Sequence, residues 1–416
     1  MLIKTLLNRI EKFKSFVYTS VNLEAWEGED CLIVHVEPRK NGKALCSGCG
    51  EARPCYDHRV SPRLFEYVPI WGIRVFFSYF MRRVDCWSCG GIMTEAVPWA
   101  RGRSTFTRSY SIFLARWARR LSWSETATIF KTSWESVYRC VQWVVDWGLK
   151  HRDLEGITAI GVDEVNVGKN QFITVLYQID EGMRRLLGIA KGKSGESLCQ
   201  LIEELGEHVA DISYVCSDMS AAYLKAIANM LSESVHILDR FHIVHNLNKA
   251  VDEVRSREAK ELARKGSNPL KGTKYCFLKK PKNRTRKQRL KLRDLVGLAP
   301  KSVRACHLKD MFEALWTYES PTWAGKFLQA WCTRALRSGL PPIKRFARTL
   351  RRNEQLLLNW FEAKKQFSSG VVEGFNRKMN LITRKSYGFR TEEIRKTALF
   401  HVLGQLPEPE VTHQYC

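Results

Sequence analysis

Three acidic residues stand where their surroundings call for chemistry. Asp163 interrupts an apolar run, Ile160-Gly161-Val162-Asp163-Glu164-Val165, that otherwise reads as a buried strand; Asp218 follows Val215-Cys216-Ser217; Glu373 lies in Ser369-Gly370-Val371-Val372-Glu373-Gly374, on a late helix. A charge in a buried strand is costly unless it is paired or ligates a metal. Carboxylate oxygens are hard donors. Three of them drawn from distant positions can hold two Mg²⁺ or Mn²⁺ ions about 3.5–4 Å apart, which stabilises the attacking and leaving oxygens of an in-line phosphoryl displacement. Glu164 should face away from Asp163, because neighbours on a strand point to opposite faces. Asp239, in Leu238-Asp239-Arg240-Phe241-His242, ends another strand and is the substitute for any of the three that does not take part.

A second set of residues has metal-ligand spacing. Cys46/Cys49 and Cys86/Cys89 are two Cys-x-x-Cys pairs, each followed by glycine, Gly50 and Gly90. Two intervening residues let a tight turn aim both thiolates at one tetrahedral Zn²⁺, and the trailing glycine relieves the turn where a Cβ would crowd the sulfurs. Four sulfurs close the shell and leave no position for substrate, so the site is structural. The 36 residues between the pairs include an alternating stretch, Leu64 to Val84, that reads as a hairpin folding back at Trp71-Gly72 and bringing the pairs together. Cys55 and His58 form a competing Cys-x-x-His.

The elements that must position these residues change character along the chain. From Thr107 to Lys150 apolar residues recur at three and four. Ser124 with Glu125 caps a short helix ending near Phe130, and Ser133 caps the next, Trp134 to Trp147. This reads as a helix-turn-helix, whose second helix offers Trp134, Glu135, Ser136 and Arg139 to the major groove; a plain helical bundle is the alternative, and Lys131 occupies the turn where glycine is cheaper. After Gly156 the order is three strands, helix, strand, helix, strand, the order of the ribonuclease-H-like fold. From His242 to Leu350 the chain is helical and basic, with nine Lys or Arg between Lys279 and Arg293. It reads as an insertion whose Lys279, Lys280, Arg284 and Arg286 hold phosphates, or else as a solvated basic face. Helices return from Glu354 to Val402, with a break at Tyr387-Gly388.

Composition bounds the function. Hydrophobic residues at 44% and charged residues at 26% exclude disordered and collagenous chains, and a net charge of +24 over 416 residues points to a polyanionic partner, nucleic acid first. No window approaches the ~18 uncharged apolar residues of a membrane span. With no export signal, the thirteen cysteines read as reduced thiols plus a metal site in a cytoplasmic protein.

The motifs together resemble a known family. Gly161-Val162-Asp163-Glu164, Ser217-Asp218-Met219-Ser220 with Tyr223, Leu238-Asp239-Arg240-Phe241-His242-Ile243-Val244, Ser369 to Asn376 and Arg384-Lys385-Ser386-Tyr387-Gly388-Phe389-Arg390 look like the DDE transposases of bacterial insertion sequences, the zinc-ribbon group written IS-L-three. The resemblance spans nearly the whole chain. It implies Asp163, Asp218 and Glu373 as a metal-binding catalytic triad with two Mg²⁺ or Mn²⁺, one structural zinc, and no organic cofactor. It implies cutting and joining of double-stranded DNA at the terminal inverted repeats of a mobile element and at a target, by at least a dimer associated with the nucleoid and without a membrane. The architecture expected is multidomain α+β: an N-terminal segment (1–40), zinc ribbon (41–100), helix-turn-helix (105–150) and a ribonuclease-H-like catalytic domain (156–405) with a helical insertion at about 245–350. Two rivals remain: a non-catalytic DNA-binding protein or repressor derived from such an enzyme, and a nuclease that cuts without joining.

Overall fold

The computed structural model describes residues 2–26, 28–168, 171–363 and 370–410, the side chains of residues 370, 372 and 373 excepted. The chain forms two compact units, Met1–Arg152 with Ile382–Cys416, and Asp153–Leu381.

In the first unit, strands Phe16–Trp26, Glu29–Pro38, Ile73–Tyr79 and Arg63–Ile70 lie side by side in that order. Glu29–Pro38 runs parallel to Ile73–Tyr79, so a division at residue 40 cuts through one sheet. The hairpin anticipated at Trp71-Gly72 is present, with both residues at positive φ as a tight two-residue hairpin turn requires. Trp99 is buried under this sheet, its ring meeting those of Phe13, Phe16, Phe65, Phe77 and Tyr79. Such a cluster suits a sheet that needs large rigid side chains to fill one face.

Helices Arg108–Arg120, Trp123–Ile129 and Trp134–Lys150 follow, and the last packs against Glu392–Leu403 from the far end of the chain. The short helix is capped by Ser122, not Ser124: the Ser122 hydroxyl accepts from the Glu125 amide and the Glu125 carboxylate accepts from the Ser122 amide. The three-residue spacing of that capping box selects 122, and Ser124 falls inside the first turn. Ser133 caps Trp134–Lys150 as expected. Lys131 lies in the intervening turn at φ 51°, the left-handed conformation that glycine adopts more cheaply.

The second unit is built on five strands, β1 (Ala159–Gly168), β2 (Gln171–Asp180), β3 (Met183–Lys191), β4 (Tyr214–Ser217) and β5 (Val235–Leu238), in the order β3-β2-β1-β4-β5. The first three are antiparallel; β4 and β5 run parallel to β1, reached through helices Gly195–Glu203 and Ala221–Met230. β1 is apolar from Ala159 to Val162, where both its faces are covered as a parallel-paired central strand requires, and is more exposed from Asn166 on. A long helix, Arg240–Arg264, leaves β5 and opens a helical block running to Glu362, whose core includes Phe312, Trp316, Trp331 and Phe346. Helix Gly370–Lys385 follows, its residues to Leu381 belonging to this unit and those from Ile382 to the first.

Candidate functional site

Register determines which acids meet. Gly161 of β1 is level with Cys216 of β4, and Ser217 of β4 is level with Leu238 of β5. Two residues beyond the first rung stand Asp163 and Asp218; one residue beyond the second stand Asp218 and Asp239. Three neighbouring parallel strands therefore deliver one aspartate each at the same edge, the carboxyl ends where open α/β sheets bind ligands.

Asp163 is only 4% exposed. Its Oδ1 accepts from the Glu164 amide at 2.8 Å, and its Oδ2 accepts from the Asn376 side-chain amide. His242 Nε2 lies 3.7 Å from Asp163 Oδ1 and 3.7 Å from Asp239 Oδ2, a bridge between two acids. Burial pushes the Asp163 carboxyl up and the Asp239 charge adds to this, while His242 and the Asn376 amide pull it down. Asp239 also accepts from the Phe241 amide at 2.6 Å as the cap of helix Arg240–Arg264, which is why His242, three residues on, lies over the same site. Asp218 is half-buried, its Oδ1 accepting from the Ser220 amide at 2.9 Å. Tyr223 feels the charges of Glu164, Asp218 and Asp163; burial chiefly, with these carboxylates, pushes its hydroxyl up to about 12, and Thr174 bonds it at 2.9 Å.

Glu373 belongs to helix Gly370–Lys385, one turn before Asn376, and its side chain lies outside the described residues. That helix is seated by Phe375, whose ring stacks on Tyr177 of β2 at 4.4 Å, and by the Tyr177 hydroxyl, which donates to Met379 Sδ at 2.7 Å. His242 and Asn376 were present in the sequence motifs without a role. The readable signal was spacing: each stands three residues after a candidate acid on a helix, Asp239 and Glu373.

The cysteines form a second, separate centre. Cys46, Cys49, Cys86 and Cys89 bring their sulfurs within 4.8 Å of one another, the sole such grouping of three or more ligand-type groups among the described residues. Cys46 to Cys89 is 3.8 Å and Cys49 to Cys86 is 3.6 Å, and a tetrahedron with ~2.3 Å zinc–sulfur bonds has edges of about 3.8 Å. These two edges match those of a zinc site. Hydrogen bonds from Cys86 and Cys46 push the Cys89 thiol up to about 12, and burial would raise Cys86 too, but Arg53 and the neighbouring thiols outweigh it and hold Cys86 at about 6. Glycine matters here for a reason other than the expected one. A Cβ at Gly50 or Gly90 meets nothing within 4 Å, so these two serve positive φ, whereas a Cβ on Gly48 would lie 2.7 Å from Cys89 Sγ. Cys55 and His58 approach each other at 3.8 Å, both exposed and outside the cage.

The basic candidates divide. Arg286 is exposed and Lys279 half-buried. Lys280 is paired with Glu313 at 2.8 Å, and Arg284 is buried, gripping both oxygens of Asp310 at 2.6 and 2.8 Å, so its guanidinium braces the helical block. Of the helix-turn-helix residues, Glu135 and Arg139 are exposed, while Trp134 and Ser136 are partly covered. Among the described residues no helix is long and apolar enough to cross a membrane.

Asp163, Asp218 and Asp239 stand level on neighbouring strands and four thiols form a cage, and comparison with known proteins identifies the class. The DDE transposase model of the IS-L-three group matches residues 160–398, more than half of the chain, and the protein belongs to that family. The transposase for insertion sequence element IS1001 of Bordetella parapertussis is 26% identical over 84% of this chain and 86% of its own length. The transposase for IS1557 of Mycobacterium tuberculosis is 25% identical over 92% and 91%. The Drosophila P element transposase strand transfer complex aligns with 72% of this chain and 92% of that one, at 9% identity and a TM-score of 0.40.

Proposed function

We propose that this protein is the transposase of an insertion sequence, which recognises the element's terminal inverted repeats and cuts and joins DNA strands through Asp163, Asp218 and Glu373 in a ribonuclease-H-like catalytic domain. The observation that carries the reading is the convergence of Asp163, Asp218 and Asp239 at one sheet edge, with Asn376 bound to Asp163 from the helix that also contains Glu373.

The donor set fits a hard cation. A buried carboxyl pushed up by burial and by a second nearby acid is a group whose charge lacks full compensation, and carboxylate oxygens match Mg²⁺ or Mn²⁺. Asp163, Asp218 and Glu373 would hold the two ions, which when bound supply positive charge to a phosphodiester's oxygens and acidify water. The chain's own residues do the rest. The Glu164 amide and the Asn376 side chain fix the two Asp163 oxygens, so the ligand does not have to be reoriented during reaction. His242 sets the spacing of Asp163 and Asp239 from a helix anchored at its first turn. The four-cysteine cage holds one zinc and keeps its ribbon rigid. The Trp134–Lys150 helix reads the ends, and exposed cations such as Arg286 hold phosphates without reading bases.

The test uses the DNA flanking the gene, searched for imperfect inverted repeats bounded by a short direct duplication. Purified protein with Mg²⁺ should nick duplexes carrying those ends and join the freed 3′-ends to a second DNA, resolved as longer products on a denaturing gel. Cutting without joined products would make it a nuclease; binding with neither would make it a DNA-binding protein of transposase descent.

A further inference from the structure

Outside the carboxylate edge and the cysteine cage stands one feature that neither site explains. The helix Gly370–Lys385 ends in a turn in which the Tyr387 amide donates to the Arg384 carbonyl at 3.0 Å and the Gly388 amide donates to the Thr383 carbonyl at 3.0 Å. This is the Schellman arrangement, whose left-handed residue is usually glycine. Here that residue is tyrosine, at φ 51°, with glycine only in the next position at φ 95°. The Tyr387 side chain is fully exposed, so no buried contact offsets the strain. A bulky residue in this conformation is a real outlier, and such strain persists where a side chain has work at that spot.

What lies around Tyr387 indicates the work. A cavity of about 320 Å³ opens beside it, lined by Trp123, Trp134, Lys385, Tyr387, Phe389 and Arg390. Trp134 is the first residue of the second helix of the helix-turn-helix. The Arg390 guanidinium sits over the Trp134 ring, 5.3 Å from its centre, and Gln142 donates to Glu393 at 3.0 Å, tying the turn to that helix. Trp123 is held against Tyr138 at 5.3 Å. Lys385 donates to the Arg120 carbonyl, which fixes its cation at the rim. The helix-turn-helix is thus completed by a segment some 250 residues downstream, and the seam between them is an aromatic slot with cations at its mouth.

We propose that this slot is a binding site for one unstacked nucleobase of DNA, with Tyr387 as the ring against which it stacks. Aromatic faces stack any base, since every base has a π-face, and Arg390 and Lys385 meet the negative charge of the phosphates on either side. Taking up a base that has left the duplex requires room for a flat ring beside a duplex-binding helix, and a base already unpaired enters at least cost. The site rests on the DNA-binding reading above and adds to it a preference for DNA with a displaced base.

The experiment compares two duplexes of the same sequence at one salt concentration, one fully paired and one with a single extra unpaired 2-aminopurine. Binding of the full-length protein is followed by competition and by quenching of the 2-aminopurine. The wild type should favour the bulged duplex roughly tenfold, the scale of one stacked base. Tyr387→Gly should bring that preference below about twofold while melting no earlier than the wild type, since glycine suits the turn better; Trp134→Ala should also lose it. Equal affinity of the wild type for both duplexes, or a preference that survives Tyr387→Gly, overturns the slot and leaves the DNA-binding reading standing. Binding to neither duplex overturns that reading itself.

Discussion

The cysteine cage and the carboxylate edge are both groups of ligand-type side chains, yet they are built in opposite ways. The cage takes its four ligands from two short turns, its sulfurs all within 4.8 Å of one another and the Gly48 amide donating to Cys46 Sγ at 3.3 Å. The carboxylate edge takes Asp163, Asp218 and Asp239 from three strands and Asn376 from a helix at the other end of the unit, and each of those aspartates is bonded to a backbone or side-chain donor. A closed shell that satisfies itself contributes folding energy and nothing else. An open set of acids held apart by neighbouring donors stores unfavourable charge that a substrate-bearing cation can relieve. On the proposed function, the first centre serves the chain's stability and the second its chemistry.

The sharpest break between the two is the effect of losing one ligand. Cys86→Ser, or exhaustive chelation, should release one zinc per chain, measured by elemental analysis. It should also unfold the ribbon, because metal binding in small zinc modules carries on the order of 10 kcal/mol of folding energy. Hydrogen exchange should show protection lost in residues 44–58 and 82–94, which surround the cage, and kept in the sheet strands at 63–79 and in β1 to β5. A cage variant with unchanged protection would remove the structural role. Asp163→Asn should do the reverse: strand cutting falls by roughly a thousandfold or more, the several kcal/mol that metal-assisted charge stabilisation supplies. Melting should come no earlier, because a buried charge under strain is replaced by a neutral amide of the same shape. Retained cutting would take Asp163 out of the centre, and early melting would make it a structural acid like the cage thiols.

How much was legible follows from the same contrast. The cage could be read because its ligands and turns are local: two residues between cysteines fix the geometry before any tertiary contact exists. Asp163 could be read because a carboxylate in an apolar strand has a cost that needs a reason. The role of Asn376 was hidden, since an amide on a polar helix has no local anomaly and acquires meaning only once Phe375 stacks on Tyr177 and turns the helix face toward β1. Arg284 was misleading for a similar reason. Within a run of nine basic residues it looks like a phosphate contact, and only the neighbouring helix, carrying Asp310, converts it into a buried brace. Gly48 escaped notice because the crowding atom, Cys89 Sγ, comes from the other turn. Ser122 and Ser124 differ only in which one has Glu at its third position, a detail of capping geometry readable from the sequence.

The finer test is how far the carboxylate edge depends on its neighbours. Asn376 donates to Asp163 Oδ2 from the helix that carries Glu373. Removing a partner that orients a metal ligand typically costs 10–100-fold in metal affinity or activity. Asn376→Ala should therefore raise the Mg²⁺ concentration needed for half-maximal cutting by roughly that factor, with DNA affinity unchanged. Asn376→Asp keeps the shape but sets a second charge against a carboxyl already pushed up by burial; cutting at low Mg²⁺ should fall further than in the alanine variant and recover at high Mg²⁺, because added cation screens like charges. A Mg²⁺ dependence identical to the wild type in both variants would mean that Asp163 holds its position unaided, and the contrast between the two centres would reduce to ligand type alone.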